Sequence, residues 1–346
     1  MTMKNRQAFV LPDGSVPFGY FENSVGRLNY EDFSLRSPAR ELLSTDERLR
    51  RFVHFNFMGF TSDRFISGCS LSYANKQPTV FFYVFDRHKK TVLKRGCRTR
   101  SGDIADINLS PDDGISHIMG KGMDVQFISL QDNREKTLVV KLDGLDVLTL
   151  SFQEQKPPFD TLRLCTPVGP NGWSYCQKVA GLKARGTLTL DGEEHDLRHQ
   201  NAYAHHDFTG GHLRQDTFWN WACFTGQDDH GKALGLNLSN GVNETGHSEN
   251  VIWCDGKRQP LGLASFAYDL DDLTKEWTIT TANLGVDLTF RPDGQYAAFQ
   301  PDGPTPVDFT QLFGTFDGRV RLADGETVSL RQIPGFCERQ FSVWYP

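Results

Sequence analysis

The sequence predicts an all-β chain folded as two similar barrel-like or sandwich-like halves, and two observations carry that prediction. The first is turn punctuation: Asp-Gly recurs at Asp13, Asp113, Asp143, Asp191, Asp255, Asp293, Asp302, Asp317 and Asp324, and Asn-Gly at Asn171 and Asn240. These dipeptides favour the positive φ angles of tight hairpins. The second is a weak internal repeat. Phe52-Val53-His54-Phe55-Asn56-Phe57, then Gly68-Cys69-Ser70-Leu71-Ser72, then Phe81 to Asp86, is matched by Phe218 to Phe224, Gly235-Leu236-Asn237-Leu238-Ser239, and Val251 to Asp255. A meander used twice, with aromatic residues on alternate positions, suits two packed β units.

Between the turns, alternation places strands at Phe52 to Phe60, Ile66 to Tyr73, Thr79 to Phe85, Thr137 to Leu142 and Val147 to Phe152. Further strands are expected at Ala184 to Leu190, Trp277 to Thr281 and Val286 to Phe290. Helical periodicity is confined to Pro38 to Arg51, with one possible start at Ser37-Pro38 and a second at Ser44, where Glu47 completes a capping box. The repeat divides the chain into an N-terminal half, 1–210, carrying that short helix, and a C-terminal half, 211–346.

Composition narrows the function. A chain of 346 residues with 38% hydrophobic content supports two cores without staples. A net charge of −6 and no long basic run leave no electrostatic footprint for nucleic acid. Seven cysteines without Cys-x-x-Cys spacing point to reduced thiols and a cytoplasmic setting. The N-terminus has no apolar signal core, and no segment approaches a membrane span. Neither a dinucleotide or Walker-type glycine loop nor a Gly-x-Ser-x-Gly elbow is present, so no nucleotide cofactor or serine hydrolase is expected.

Chemistry concentrates in His199 to Trp221, which holds His199, His205, His206, His212, Asp207, Asp216, Arg214 and the Gly210-Gly211 pair before an aromatic strand. Glycines let backbone approach a ligand closely. If this stretch is extended, His205 and Asp207 share one face and His206 takes the other. The bland alternative for Asp207 is a cap on a Thr209-Gly210-Gly211 turn. His195 and His199 would chelate a metal only on a helix, and the hairpin turn at Asp191-Gly192 argues for a strand, so no metal is expected. Tyr175, Gln177 and Lys178 form a second polar group, and Glu244, His247, Glu249 and Asn250 a third, in a loop placed to overhang the seam.

Trp173 to Lys178, Asp207 with Gly210-Gly211, Thr217 to Ala222, Gly235 to Leu238, Glu249 to Trp253 and Gln311 to Gly314 together resemble the domain-of-unknown-function 2804 family over nearly the whole chain. Tyr203 to Gly210 is more distantly similar to the Tyr-His-Asp-His-x-Trp-Gly motif of the AttH and carotenoid 1,2-hydratase group, although no His follows Asp207. That resemblance implies two lipocalin-like (calycin-like) barrels and a cofactor-free site for an apolar substrate at their interface.

Water addition or a double-bond shift needs a proton donor in a dry pocket. The expected function is therefore a cofactor-independent lyase, hydratase or isomerase of a hydrophobic unsaturated molecule. Asp207 is the expected acid, with His206 or His205 as its partner. Tyr175, Lys178, Tyr203, Trp219, Trp221, Glu249 and Asn250 are the expected substrate contacts. The alternative is a lipid- or isoprenoid-binding protein without catalysis, whose polar residues fix only a head group.

Overall fold

The structure is a computed structural model describing residues 8–132, 134–154, 159–243, 246–300, 302 and 306–345. Three antiparallel sheets account for almost all of it. An eight-stranded sheet runs Gly19–Tyr20, Leu162–Val168, Gly172–Lys183, Tyr203–His212, Val53–Thr61, Phe65–Ala74, Gln77–Asp86, Thr91–Arg98 from edge to edge. A seven-stranded sheet is built from the strands between Ile104 and Gln153, with Arg185–Leu190 and Glu193–Asp196 at one side. Every strand from Asp216 to Val343 joins a nine-stranded sheet.

The eight-stranded sheet is covered on both faces, and this explains its composition. Met58, Phe82 and Val84 pack with Val125, Leu138 and Phe152 of the seven-stranded sheet. Phe57, Tyr83 and Phe85 point the other way, against Phe336 and Phe313 of the nine-stranded sheet. With no wet face, such strands are buried almost throughout, as Val53–Thr61 is, rather than alternating apolar and polar. Polar residues on these strands therefore stand inside the molecule. The nine-stranded sheet curls around a second core that includes Leu236, Ile252, Trp277, Phe290 and Phe316.

Both expected meanders are present. Val53–Thr61, Phe65–Ala74 and Gln77–Asp86 pair in sequence, as do Asp216–Gln227, Ala233–Asn240 and Val251–Cys254. Asp143-Gly144, Asp191-Gly192 and Asp255-Gly256 turn hairpins with both residues at positive φ. Asp293-Gly294 and Asp317-Gly318 do not. They sit at register shifts inside Val286–Gln300 and Val307–Arg321, so the strand expected to stop at Phe290 continues to Gln300. Gly303, which follows Asp302, lies outside the described residues.

Only the second helix start is used. Ser44 and Glu47 form the capping box of Thr45–Arg50, whereas Pro38 lies in a turn that closes a bridge between Arg36 and Leu42. Ser37 lacks a Glu or Gln at the third helical position, and its carbonyl instead accepts from Arg40 N at 2.8 Å. Tyr203–His212 pairs through His212 with Trp173, so the chain changes sheet at residues 213–215.

Candidate active site

The eight- and nine-stranded sheets touch where Gly181, at φ +95°, meets Gly235. A Cβ on Gly235 would stand 2.0 Å from the Ala180 carbonyl oxygen, so glycine is required for this approach. Toward Ser174 the sheets part and leave a cavity of about 440 Å³ lined by both. Phe55, Phe81, Trp219, Tyr296, Phe309 and Trp344 give its walls aromatic surface, interspersed with hydroxyls and amides such as Ser70, Ser174 and Gln340.

Strand alternation decides which polar side chains reach this space. Lys178 enters from Gly172–Lys183, and Asp207, directly opposite it in register, enters from Tyr203–His212. Lys178 Nζ lies 3.0 Å from Asp207 Oδ2 and 2.9 Å from Glu249 Oε1, and 4.8 Å from the centre of the Trp221 ring. Glu249 is held further by Asn243 Nδ2 at 2.9 Å, and Asp207 by Thr209 Oγ1 at 2.6 Å. Glu338 enters from the nine-stranded sheet. Its two oxygens accept from Trp219 Nε1 and Gln311 Nε2, each at 2.7 Å.

One buried ammonium thus faces two buried carboxyls, Glu249 and Glu338, and the partly exposed Asp207, and their environments separate them. Burial raises Asp207, although Lys178 works against it. Burial pushes Glu249 in the same direction, but Lys178 and hydrogen bonds outweigh it and leave Glu249 below the ordinary range. Glu338, buried and met mainly by neutral N–H donors, is pushed up to about 7. Burial opposes the charge on Lys178, and the carboxylates more than compensate, raising it above its ordinary value. Glu249 is the ionised partner of the lysine, and Glu338 is half protonated near neutral pH.

Several expected site residues lie elsewhere. His206 is on the opposite face from Asp207, bonded to Asn56 Oδ1 at 3.1 Å and near Phe152, so it cannot partner the acid. His205 shares the face of Asp207 but is packed against Phe57 and Phe336 outside the cavity lining. Burial holds His205 down to about 3, and its ring is neutral. Tyr175 points away from Lys178, against Phe9 and Phe21. Gln177, on that face too, donates to Asp112 at 2.7 Å, and Asp112 also takes Lys136 Nζ at 2.6 Å. Two neighbours in a strand cannot share a mouth.

Tyr203 and Asn250 are buried outside the cavity lining. Asn250 accepts from Ser239 N and donates to Gly262 O, fixing the loop itself. Glu244 lies outside the described residues. His247 meets Tyr20, whose hydroxyl donates to Ser248 O at 2.6 Å, so this loop is tied to the N-terminal arm.

Gly210 and Gly211 do not approach a ligand. A Cβ on Gly211 would stand 2.0 Å from the Trp173 carbonyl oxygen, and one on Gly210 2.8 Å from Leu28. Nor does Asp207 cap a turn, because the whole stretch is strand. His195 lies on Glu193–Asp196 and His199 is exposed. Among the described residues, no group of three or more His, Cys, Asp or Glu is arranged to hold a metal ion.

Sequence reasoning missed Glu338. Its signal is the alternation Phe336, Glu338, Gln340, Ser342 in the last strand, which puts an acid on an aromatic face. Gln311 stood within a recognised motif but without a role.

The family model described as a domain of unknown function, DUF2804, matches residues 2–344. No curated protein matches. Among solved structures, a putative AttH from Nitrosomonas europaea is similar at 11% identity and a TM-score of 0.50, covering 91% of this chain and 100% of that one. Kievitone hydratase from Nectria haematococca is similar at 9% identity and a TM-score of 0.44, covering 84% and 88%. CghA with Sch210972 is similar at 12% identity and a TM-score of 0.46, covering 95% and 99%. The first of these likenesses shows the fold, an all-β, double-lipocalin-like arrangement.

Proposed function

Because this chain belongs to the DUF2804 family, whose description assigns no activity, we propose its function from the cavity: a cofactor-independent lyase, hydratase or isomerase acting on a hydrophobic unsaturated small molecule between the two halves. The observation that carries this reading is three carboxyls and one ammonium facing an aromatic space. Burying carboxyls costs several kcal/mol each unless they are well paired, on the order of the penalty for any desolvated ion. A passive carrier of apolar ligands has no need of the arrangement, and this favours catalysis over the binding-protein alternative.

Asp207 contacts the cavity on the eight-stranded side, as Glu338 does on the nine-stranded side. Groups whose environments differ in this way take acid and base roles. Lys178 holds Asp207 and Glu249 in place, and Trp219 and Trp221 supply apolar surface to the substrate. The seven cysteines are free and buried, which suits a reducing compartment such as the cytoplasm.

Native mass spectrometry of protein purified from its own host, followed by extraction and identification of bound small molecules, tests the cavity. A retained apolar, unsaturated compound that the protein turns over, with turnover but not binding lost in Asp207→Asn, supports the proposal. A protein that is empty and binds neither lipids nor polyenes overturns it.

A further inference from the structure

The cavity offers an incoming ligand little free positive charge. Lys178 Nζ is already within 3.0 Å of two carboxylates, and Arg98, the other cation on the lining, is exposed at the rim. An anionic group deep in the cavity would meet Asp207, Glu249 and Glu338 without an unpaired cation. The interior therefore selects against anions.

The aromatic walls fit a flat body. Asp207 and Glu338 come from opposing sheets, so a flat molecule lying between those sheets meets one carboxyl at each side. Acid strength then narrows the chemistry. An isolated alkene becomes a carbocation only with a strong acid, and a carboxylic acid titrating near neutrality is a weak one. A conjugated carbonyl needs only a proton on oxygen, and its charge develops on a heteroatom that accepts a hydrogen bond.

From this geometry, and resting on the reading proposed above, we infer that the ligand is an uncharged conjugated carbonyl compound, with Glu338 donating to its carbonyl oxygen and Asp207 acting as the base. In hydration, the Glu338 O–H bond breaks and an O–H bond forms on the carbonyl. A water oxygen bonds to the β-carbon, the π electrons move to form an enol, and the water proton passes to the Asp207 carboxylate. The enol returns its oxygen proton to Glu338 as the α-carbon takes the proton from Asp207. One water has been added and both carboxyls are restored. In isomerisation Asp207 removes a γ-proton in place of the water proton, and returns it at the α-carbon.

Gln311 is a positioning residue in this scheme. Its Nε2 donates to Glu338 while its Oε1 has no hydrogen-bond partner among the described residues. Rotation of that amide would let it serve either protonation state of the acid.

The probe is PRODAN, a neutral naphthyl ketone whose emission shifts to the red when its carbonyl accepts a hydrogen bond. Its propionyl group also carries α-protons that exchange with deuterium oxide on enolisation. The wild-type protein should bind PRODAN, show a red shift that is lost as pH rises through neutrality, and accelerate α-deuteration read by mass spectrometry. Glu338→Gln should bind with an emission independent of pH. Asp207→Asn should keep the pH-dependent emission and lose deuteration roughly 100-fold or more. Binding without a pH-dependent shift, or a shift that survives in Glu338→Gln, overturns the inference and leaves the proposed function standing. Deuteration that persists in Asp207→Asn overturns the role of the base. No bound PRODAN at any pH overturns the inference, and a failure to bind lipids and polyenes as well overturns the proposed function with it.

Discussion

Trp219 donates its indole N–H to Glu338 across adjoining strands, 2.7 Å from the carboxyl oxygen, although its register partner is Gln340. The indole is thus a built-in reporter on the ionisation of the acid. Tryptophan fluorescence should titrate with a midpoint near the value of about 7 that burial imposes on Glu338, and Glu338→Gln should remove the transition. A transition unchanged in that variant would assign it to another group.

The same shift links stability to pH. Glu338 binds its proton more tightly in the folded chain than in the unfolded one, so its unfavourable contribution is absent below the unfolded value near 4.5 and grows until about 7. The loss amounts to roughly 3 kcal/mol at full extent. Glu338→Gln should therefore raise the melting temperature relative to wild type at pH 8 and change it little at pH 4.5. Equal effects at both pH values would show that the folded carboxyl titrates as an exposed one does.

The histidines work in the opposite sense. Burial lowers His54 and His212 to about 4 and His205 to about 3, so all three stay neutral when folded and charge when unfolded. Each leaves stability untouched above pH 6.5 and erodes it as pH falls from there toward 4. Both ring nitrogens of His205 lack a hydrogen-bond partner among the described residues, and its neighbours are Phe57 and Phe336. His205→Leu should stabilise the protein by about 1–2 kcal/mol and flatten this acid limb in urea denaturation at pH 5 against pH 7. Turnover, if carried by the carboxyls, should survive. Its loss would return His205 to the mechanism.

Much of this was legible before the fold was known, and the exceptions have one cause. Asp-Gly turns and aromatic alternation mark the meanders because hairpin chemistry is local. The same dipeptides at Asp293 and Asp317 misled because they sit at register shifts inside long strands, with Asp293 and Gly294 both outside the positive-φ region, and only pairing with distant strands tells such a bulge from a hairpin. The face rule correctly split His206 from Asp207, and applied along Gly172–Lys183 it separates Tyr175 from Lys178. What no local pattern reveals is that the eight-stranded sheet has two buried faces, which turns histidines that look like site residues into packing. Glu338 stayed hidden for the converse reason: it lies 131 positions beyond Asp207 by sequence number and joins it only when two sheets close.

Lys178 is the test of how the carboxyls are held. Replacing it with Met keeps much of the stem that covers Trp221 but removes the charge, leaving the buried Glu249 and the partly exposed Asp207 without their counter-ion. Breaking a buried pair from one side costs about 3–5 kcal/mol, much of it from the charge left behind. Lys178→Met should therefore unfold at distinctly lower urea, and its penalty should grow with pH as the two acids are forced to ionise. Adding Glu249→Gln should recover part of the loss, because the amide can still accept from Cys176 and Ser239, both of which hydrogen-bond the native side chain. Strict additivity in that double-mutant cycle would mean that the ammonium and Glu249 are not coupled, and the pairing that orders this cavity would have to be sought between Lys178 and Asp207 alone.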